Sequence, residues 1–190
     1  MDKKQIWKPG NMLYPVPAVL VSCADRAGNK NVLTIAWAGT VCSDPVMVSI
    51  SVRPERYSYP MIRETGEFVI NLTTRELAYA ADWCGVKSGR DVDKFACMKL
   101  SAIPAETLQY APVIAESPLS LECQVKQVIE PGSHHVFLAE VTAVQVSEKY
   151  MDANGKFELN QTGLVAYSHG EYFELGEKIG KFGYSVKKHH

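Results

Sequence analysis

The 190 residues carry a formal net charge of −1 at pH 7, and a chain of this length suits one domain, so we predict a single domain over residues 1–190. The composition, 46% hydrophobic and 22% charged, is ordinary for a globular protein, and the charge gives no electrostatic case for nucleic acid or an anionic membrane as partner. No apolar run is long enough to span a membrane and no signal peptide is evident, so we expect no membrane partner and a cytoplasmic location.

Both ends of the chain are predicted to be irregular. Pro9, Gly10 and Pro15 interrupt any regular element in residues 1–16, which we interpret as an N-terminal arm. Residues 187–190 are two lysines followed by two histidines. They form either a solvated tail or part of a purification tag, and we assign them no function.

Three strands are predicted next, and the third has a polar face. Residues 17–23 and 31–38 read as a hairpin around the turn at 24–30. Residues 44–53 alternate after Pro45, with four aliphatic side chains on one face and Met47, Ser49, Ser51 and Arg53 on the other. Hydroxyls beside a guanidinium can bind a phosphate group, but the same pattern also fits a half-exposed strand with a polar outer face.

A short helix is predicted directly after this strand, with Ser58 as its N-cap and Gly66 as its stop. Its N-terminus follows Arg53 and Arg56, so backbone amides and two guanidiniums could converge on one anion. Residues 67–72 are predicted as the next strand.

A second helix is predicted to open with the capping box Thr73-x-x-Glu76 and to end at Gly85. One apolar face would be formed by Leu77, Ala80, Ala81 and Cys84. The polar loop 86–95 follows, rich in hydrogen-bond donors and containing Gly89. This loop reads equally well as a ligand-binding loop and as a solvated connector.

The later half of the chain is rich in strands. Residues 119–126 alternate between apolar and polar side chains, and residues 135–146 form a second long strand. Six or more strands with few helices predict a mainly β fold, a closed or Greek-key barrel with flanking helices, because closure removes exposed sheet edges. The chain has no βαβ rhythm, dinucleotide-binding glycine motif or Walker loop, which disfavours Rossmann and P-loop folds.

The cysteine and histidine positions give no metal site. The five cysteines are odd in number, widely spaced and without a Cys-x-x-Cys motif, which favours reduced, buried thiols. His134 and His135 are adjacent on a predicted strand and would face opposite sides, so we expect them not to share a metal.

Five segments together resemble the flavin reductase-like family, and most closely its flavoredoxin branch. The segments are Pro17 to Ser22, Asn31-x-x-Thr34-x-Ala36-Trp37-x-Gly39, Ser49-x-Ser51-x-Arg53-x-x-Tyr57, Gly66 to Asn71, and Cys84-Gly85-x-x-Ser88-Gly89-x-x-x-Asp93-Lys94-Phe95. The tail from Gly170 to Ser185 is also similar to that branch. The resemblance implies an FMN-binding split barrel, non-covalent FMN and a homodimer.

The resemblance also implies which residues bind the cofactor. The flavin ring would lie on Asn31, Thr34, Ile35, Ala36 and Trp37, with Trp37 contributing through its backbone. The ribityl chain and phosphate would follow Ser49, Ser51, Val52, Arg53 and Tyr57, and the site would be closed by Ser88, Gly89, Asp93, Lys94 and Phe95. His169 and Tyr172 are candidates for contact with a nicotinamide nucleotide.

Three functions remain open from the sequence. The first is an NAD(P)H-dependent flavin reductase, using NADH or NADPH as electron donor; it needs no catalytic side chain because hydride passes between the cofactors. The second is a flavoredoxin-type FMN electron carrier, which needs a redox protein partner. The third, a ligand-free structural or regulatory barrel, is disfavoured by the serines and arginine on the polar face of the strand at 44–53.

Overall fold

The structure is a computed structural model that describes residues 2–186. Its strands are β1 (Val16–Pro17), β2 (Val19–Ala24), β3 (Lys30–Ile35), β4 (Ala38–Ser43), β5 (Val46–Val52), β6 (Glu67–Asn71), β7 (Ala102–Ile103), β8 (Val113–Ile114), β9 (Leu119–Ile129), β10 (His135–Val146), β11 (Val165–Ser168) and β12 (Glu171–Glu174). Its α-helices are α1 (Ser58–Thr65), α2 (Ala78–Val86) and α3 (Lys94–Met98). The mainly β prediction is confirmed.

Seven strands form one antiparallel sheet in the order β3-β2-β6-β9-β10-β5-β4. The sheet curls so that its two ends meet where β3 bends into β4. At this point the backbone amide of Ser51 donates to the carbonyl of Trp37 at 3.0 Å. The predicted hairpin of β2 and β3 is confirmed, with Val19 opposite Ile35 and Ala24 opposite Lys30.

The interior of the curled sheet is filled by alternate side chains of its strands. Val48, Ile50 and Val52 of β5 point inward, as their spacing predicts, while Val46 at the start of the strand is half exposed. Phe68 and Phe137 fill the middle, and α1 closes one end with Met61 and Ile62. Burial of these aliphatic and aromatic groups is the main stabilising term of the barrel.

A second apolar layer holds α2 and α3 against the outside of the barrel. Leu20 and Val32, on the outer faces of β2 and β3, pack against Phe95 and against the four residues that the periodicity predicts, which are Leu77 at the N-cap of α2 and Ala80, Ala81 and Cys84 within it. This layer fixes the α2–α3 loop beside the outer end of β3, where the cavities described below are found.

The N-terminal arm and the C-terminal part of the chain meet in a small second sheet. β1 pairs with β11, and β11 pairs with β12. Tyr14 packs edge-on against Tyr167 at a ring distance of 6.1 Å, and Tyr167 against Tyr172 at 5.3 Å. Within residues 2–186, no helix is long and apolar enough to cross a membrane.

The structure corrects the strand predicted over residues 31–38. The chain bends after Ile35, and a separate strand, β4, begins at Ala38. β4 lies at the sheet edge, and its residues are half exposed or exposed. An edge strand with no buried face has no apolar alternation, so the sequence carried no signal for it.

Both predicted N-terminal helix caps are wrong. Tyr57, not Ser58, occupies the N-cap of α1, and the Ser58 hydroxyl accepts a hydrogen bond from Asn31 Nδ2 at 2.7 Å. The helix after Thr73 begins only at Ala78 and continues one residue past Gly85. The predicted stop at Gly66 is confirmed, because this residue has a φ of 70° and its amide donates to the Ile62 carbonyl.

Candidate functional site

Two adjoining cavities lie outside the barrel, where β3, the segment after β5 and the α2–α3 loop meet. The first has a volume of about 280 Å³ and the second about 350 Å³. Leu33, Thr34, Arg56 and Gly85 line both cavities. The two therefore form one elongated site with two chemically different ends.

The first cavity is strongly cationic. Arg56, Lys87, Arg90 and Lys94 line it, and Glu55 is its one carboxylate among the residues described. That carboxylate is paired with Arg53 at 3.4 Å. Four cations against one carboxylate that is already paired suit a dianion such as a phosphate monoester.

Lys94 is the most deeply placed of these cations, with 4% of its surface exposed. Its Nζ donates to the carbonyl of Cys84 at 2.7 Å, and no ion pair within residues 2–186 includes it. Burial lowers the pKa of Lys94, because a desolvated ammonium is costly without a counter-charge. An anion entering the cavity would supply that counter-charge.

The loop after α2 is packed closely onto this cavity. A Cβ on Gly89 would lie 2.7 Å from Tyr57 Cδ1 and would overlap the amide group of Asn31, so only glycine fits without a shift. Both terminal nitrogens of Arg90 donate to the Glu55 carbonyl at 3.2 Å, and its guanidinium lies 5.6 Å from the centre of the Tyr57 ring.

The second cavity is a shelf whose lining has more apolar side chains than the first, together with Arg53 and Arg56. Ala18, Ile35 and Ala36 form part of its wall, so the backbone is accessible to a planar group there. Trp37 and His134 stand at its rim with ring centres 5.6 Å apart. Burial and then the positive charge of Arg53 lower the pKa of His134, which keeps its imidazole neutral at pH 7.

Most residues expected at the cofactor site line these cavities. The first cavity contains Asn31, Thr34, Tyr57, Ser88, Gly89 and Lys94. The second contains Thr34, Ile35, Ala36, Trp37, Ser51, Val52, Arg53 and Tyr172. Arg53, expected near a phosphate, thus lies at the shelf end, and Arg56 takes the position between the two ends.

Four expected residues line neither cavity. Ser49 lies further along β5, between Gly39 and Leu138 of the neighbouring strands. The Asp93 carboxylate accepts from the amide of Ala96 at 3.1 Å and caps α3. Phe95 belongs to the apolar layer under α2, and His169 packs against Tyr14 at a ring distance of 6.0 Å.

Sequence reasoning did not select several lining residues. Arg56 was expected near an anion together with Arg53, and Lys87 and Arg90 lie in the donor-rich loop 86–95, but none of the three was included among the expected cofactor residues. Asn11, Ala18, Ser58, Gly85, His134 and Tyr167 also line the site and were not selected. Several of these residues lie far from the others in the sequence and reach the site only through the fold, so no local sequence pattern could have identified them.

Comparison with known proteins gives the family. A family model described as "Flavin reductase like domain" matches residues 11–176. The chain belongs to the flavin reductase-like family. This membership supports a flavin-related redox function and confirms the resemblance found in the sequence.

The fold is shared with solved structures of the same kind. The flavoredoxin of Desulfovibrio vulgaris (Miyazaki F) superposes with a TM-score of 0.89 at 32% identity, covering 97% of this chain and 100% of that one. The flavoredoxin of Methanosarcina acetivorans gives 0.86 at 27% identity with the same coverage. A protein with a split barrel domain from Shewanella frigidimarina gives 0.77 at 21% identity, covering 88% and 85%, so the split-barrel prediction is confirmed.

Proposed function

We propose that this protein binds FMN and acts as an NAD(P)H-dependent flavin reductase, as one domain in the cytoplasm. The observation that carries the proposal is the junction of a cationic cavity with a shelf of small residues. Five unpaired cysteines support a reducing compartment.

The donor set fits FMN at both ends. Lys94, Arg56 and Lys87 would hold the phosphate, because they are cations around a cavity whose one carboxylate is already paired. Ala18 and Ala36 leave room for a planar ring against the backbone. Ser51 and Arg53 offer further hydrogen-bond donors in the second cavity.

The protein's contribution to the reaction is binding and orientation. Bound FMN supplies the capacity to accept hydride from a reduced nicotinamide nucleotide. The rim residues Trp37 and Tyr172 would limit water on the shelf, and the neutral His134 adds no charge there. No side chain is required to donate or accept a proton in the hydride step, so we assign no catalytic residue.

A homodimer is part of the proposal. Trp7 in the N-terminal arm is 76% exposed, Val41 of β4 is 51% exposed, and Val46 at the start of the neighbouring β5 is 50% exposed. β4 also presents an unpaired strand edge within the seven-stranded sheet. A second copy covering these groups would remove apolar surface from water.

A flavoredoxin-type electron carrier is the second candidate, favoured by the 32% identity with a flavoredoxin over almost the whole chain. A carrier would exchange electrons with a redox protein through the open side of the shelf. It would bind FMN in the same way but would not need a nicotinamide nucleotide.

Anaerobic mixing of the FMN-loaded protein with NADH and with NADPH separates the two candidates. The reductase predicts bleaching of the visible flavin band by at least one nucleotide, faster than free FMN in the same buffer. If neither nucleotide bleaches the flavin band, the reductase proposal is wrong and the electron-carrier proposal remains. Failure to take up FMN would overturn both.

A further inference from the structure

A third cavity lies directly behind the cationic one. It has a volume of about 550 Å³ and shares Tyr57, Gly89 and Arg90 with the first cavity. These three residues therefore form a partition between the proposed phosphate site and the space beyond it. Binding of FMN in the first two cavities does not by itself explain what this partition does.

The partition is held in place by Arg90. Its two hydrogen bonds to the Glu55 carbonyl tie the α2–α3 loop to the segment after β5. Its contact with the Tyr57 ring adds a cation–π interaction. Gly89 is pressed against the same ring, so the loop closes the outer end of the cationic cavity.

The space behind the partition is large enough for a second nucleotide half. FAD is FMN extended at its phosphate by AMP, so its second phosphate and adenosine would have to leave the first cavity past its outer end. The third cavity, 550 Å³ against 280 Å³ for the first, has room for such a group. Asp91 and Asp93 line it together with Lys30 and Arg90, so its two carboxylates are matched by two cations.

We propose that Arg90 is a specificity-determining residue: its attachment to Glu55 and Tyr57 closes the phosphate cavity and makes the site selective for the mononucleotide FMN over FAD. This inference rests on the proposed FMN site. Because Lys94, Arg56 and Lys87 remain to hold the phosphate, loss of Arg90 should change selectivity more than it changes FMN affinity.

The test is equilibrium binding of FMN and FAD, followed by quenching of flavin fluorescence, to four forms of the protein. These are the natural chain, Arg90→Ala, Arg90→Lys and the control Arg75→Ala, whose arginine is exposed and lines none of these three cavities. We expect the natural chain and Arg75→Ala to prefer FMN by at least about tenfold, equivalent to 1.4 kcal/mol. Arg90→Ala should reduce that preference about tenfold, and Arg90→Lys, which cannot make the paired bond, should fall between them.

Trypsin cleavage after Lys87 in the ligand-free protein is a second readout, since a detached loop is cut faster. We expect faster cleavage in Arg90→Ala and unchanged cleavage in Arg75→Ala. The inference is overturned if the natural chain binds FAD as tightly as FMN, or if Arg90→Ala keeps the natural preference for FMN, whatever its cleavage rate. If FMN itself does not bind, the proposed function fails, and this inference fails with it.

Discussion

The buried ammonium of Lys94 links the stability of the protein to its ligand. Its pKa is lower in the folded than in the unfolded chain, so the unfolded state binds more protons between these two pKa values. The stability of the ligand-free protein therefore rises as the pH rises through that interval, and at neutral pH the buried charge is destabilising. A phosphate in the cavity would reverse this penalty.

The first prediction is that Lys94→Gln weakens FMN binding without lowering the stability of the ligand-free protein. The amide keeps a donor for the Cys84 carbonyl and removes the charge, so the melting temperature of the ligand-free protein should not fall. FMN affinity should fall about tenfold or more, since a charge-assisted contact contributes about 1.5–3 kcal/mol. Calorimetry of both forms tests this, with the exposed Lys156→Gln as control; unchanged FMN affinity in Lys94→Gln would remove Lys94 from the site.

The second prediction concerns Cys84, which lines the cationic cavity. Burial raises the pKa of this thiol to about 11, so it is protonated and unreactive at neutral pH. Cys84→Ser should leave the rate of flavin reduction by a nicotinamide nucleotide nearly unchanged. A drop of more than about tenfold with FMN still bound, equivalent to 1.4 kcal/mol, would make the thiol a participant.

At the level of elements, two buried carboxylates hold the long segment between β7 and β8 against the sheet. Glu122 of β9 accepts from the amides of Glu106 at 2.9 Å and Thr107 at 2.7 Å. Glu67 of β6 accepts from Gln109, Tyr110 and Ala111 at 2.7–3.1 Å. These bonds satisfy loop amides that would otherwise lack partners over a sheet face.

The third prediction follows from Glu122. Burial alone would raise its pKa, but the hydrogen bonds from Glu106, Thr107 and Gln145 outweigh burial and lower it. A depressed pKa stabilises the fold above the unfolded-state pKa, and this contribution is lost as the pH falls through the folded-state pKa. Glu122→Gln should cost about 1.5–3 kcal/mol at pH 7 and less in acid.

Urea unfolding of the natural chain, Glu122→Gln and the exposed control Glu106→Gln at neutral and acidic pH measures this difference. We expect the control to unfold like the natural chain at both pH values. Equal stability of Glu122→Gln and the natural chain at pH 7 would show that the charge does not hold the loop.

The elements that the sequence predicted well are those with one buried face. β5 and β10 alternate along their length and were located closely, and the apolar face of α2 was identified although its start was not. The edge strand β4 was not predicted, because neither of its faces is buried. The cations near β5 and in the α2–α3 loop were visible in the sequence, whereas the rim residues Asn11, His134 and Tyr167 join the site only through the folded arrangement of distant segments.

At the scale of the whole molecule, the fourth prediction is that the protein is a dimer that uses the β4 edge. A lysine in place of Val41 would put a charge on the surface that a partner should cover, as natural edge strands do to prevent pairing. Sedimentation should show a dimer for the natural chain and for the control Ile103→Lys, and a monomer for Val41→Lys. A natural chain that remains monomeric while binding FMN would contradict the prediction.

The central claim is that the two cavities form one FMN site with its phosphate in the cationic end. Calorimetric titration of the ligand-free protein with FMN and with riboflavin, which lacks only the phosphate, tests this most directly. Two or more charge-assisted contacts of about 1.5–3 kcal/mol each predict that FMN binds at least about a hundredfold more tightly. Equal affinity for the two flavins would contradict the assignment of the cationic cavity to the phosphate.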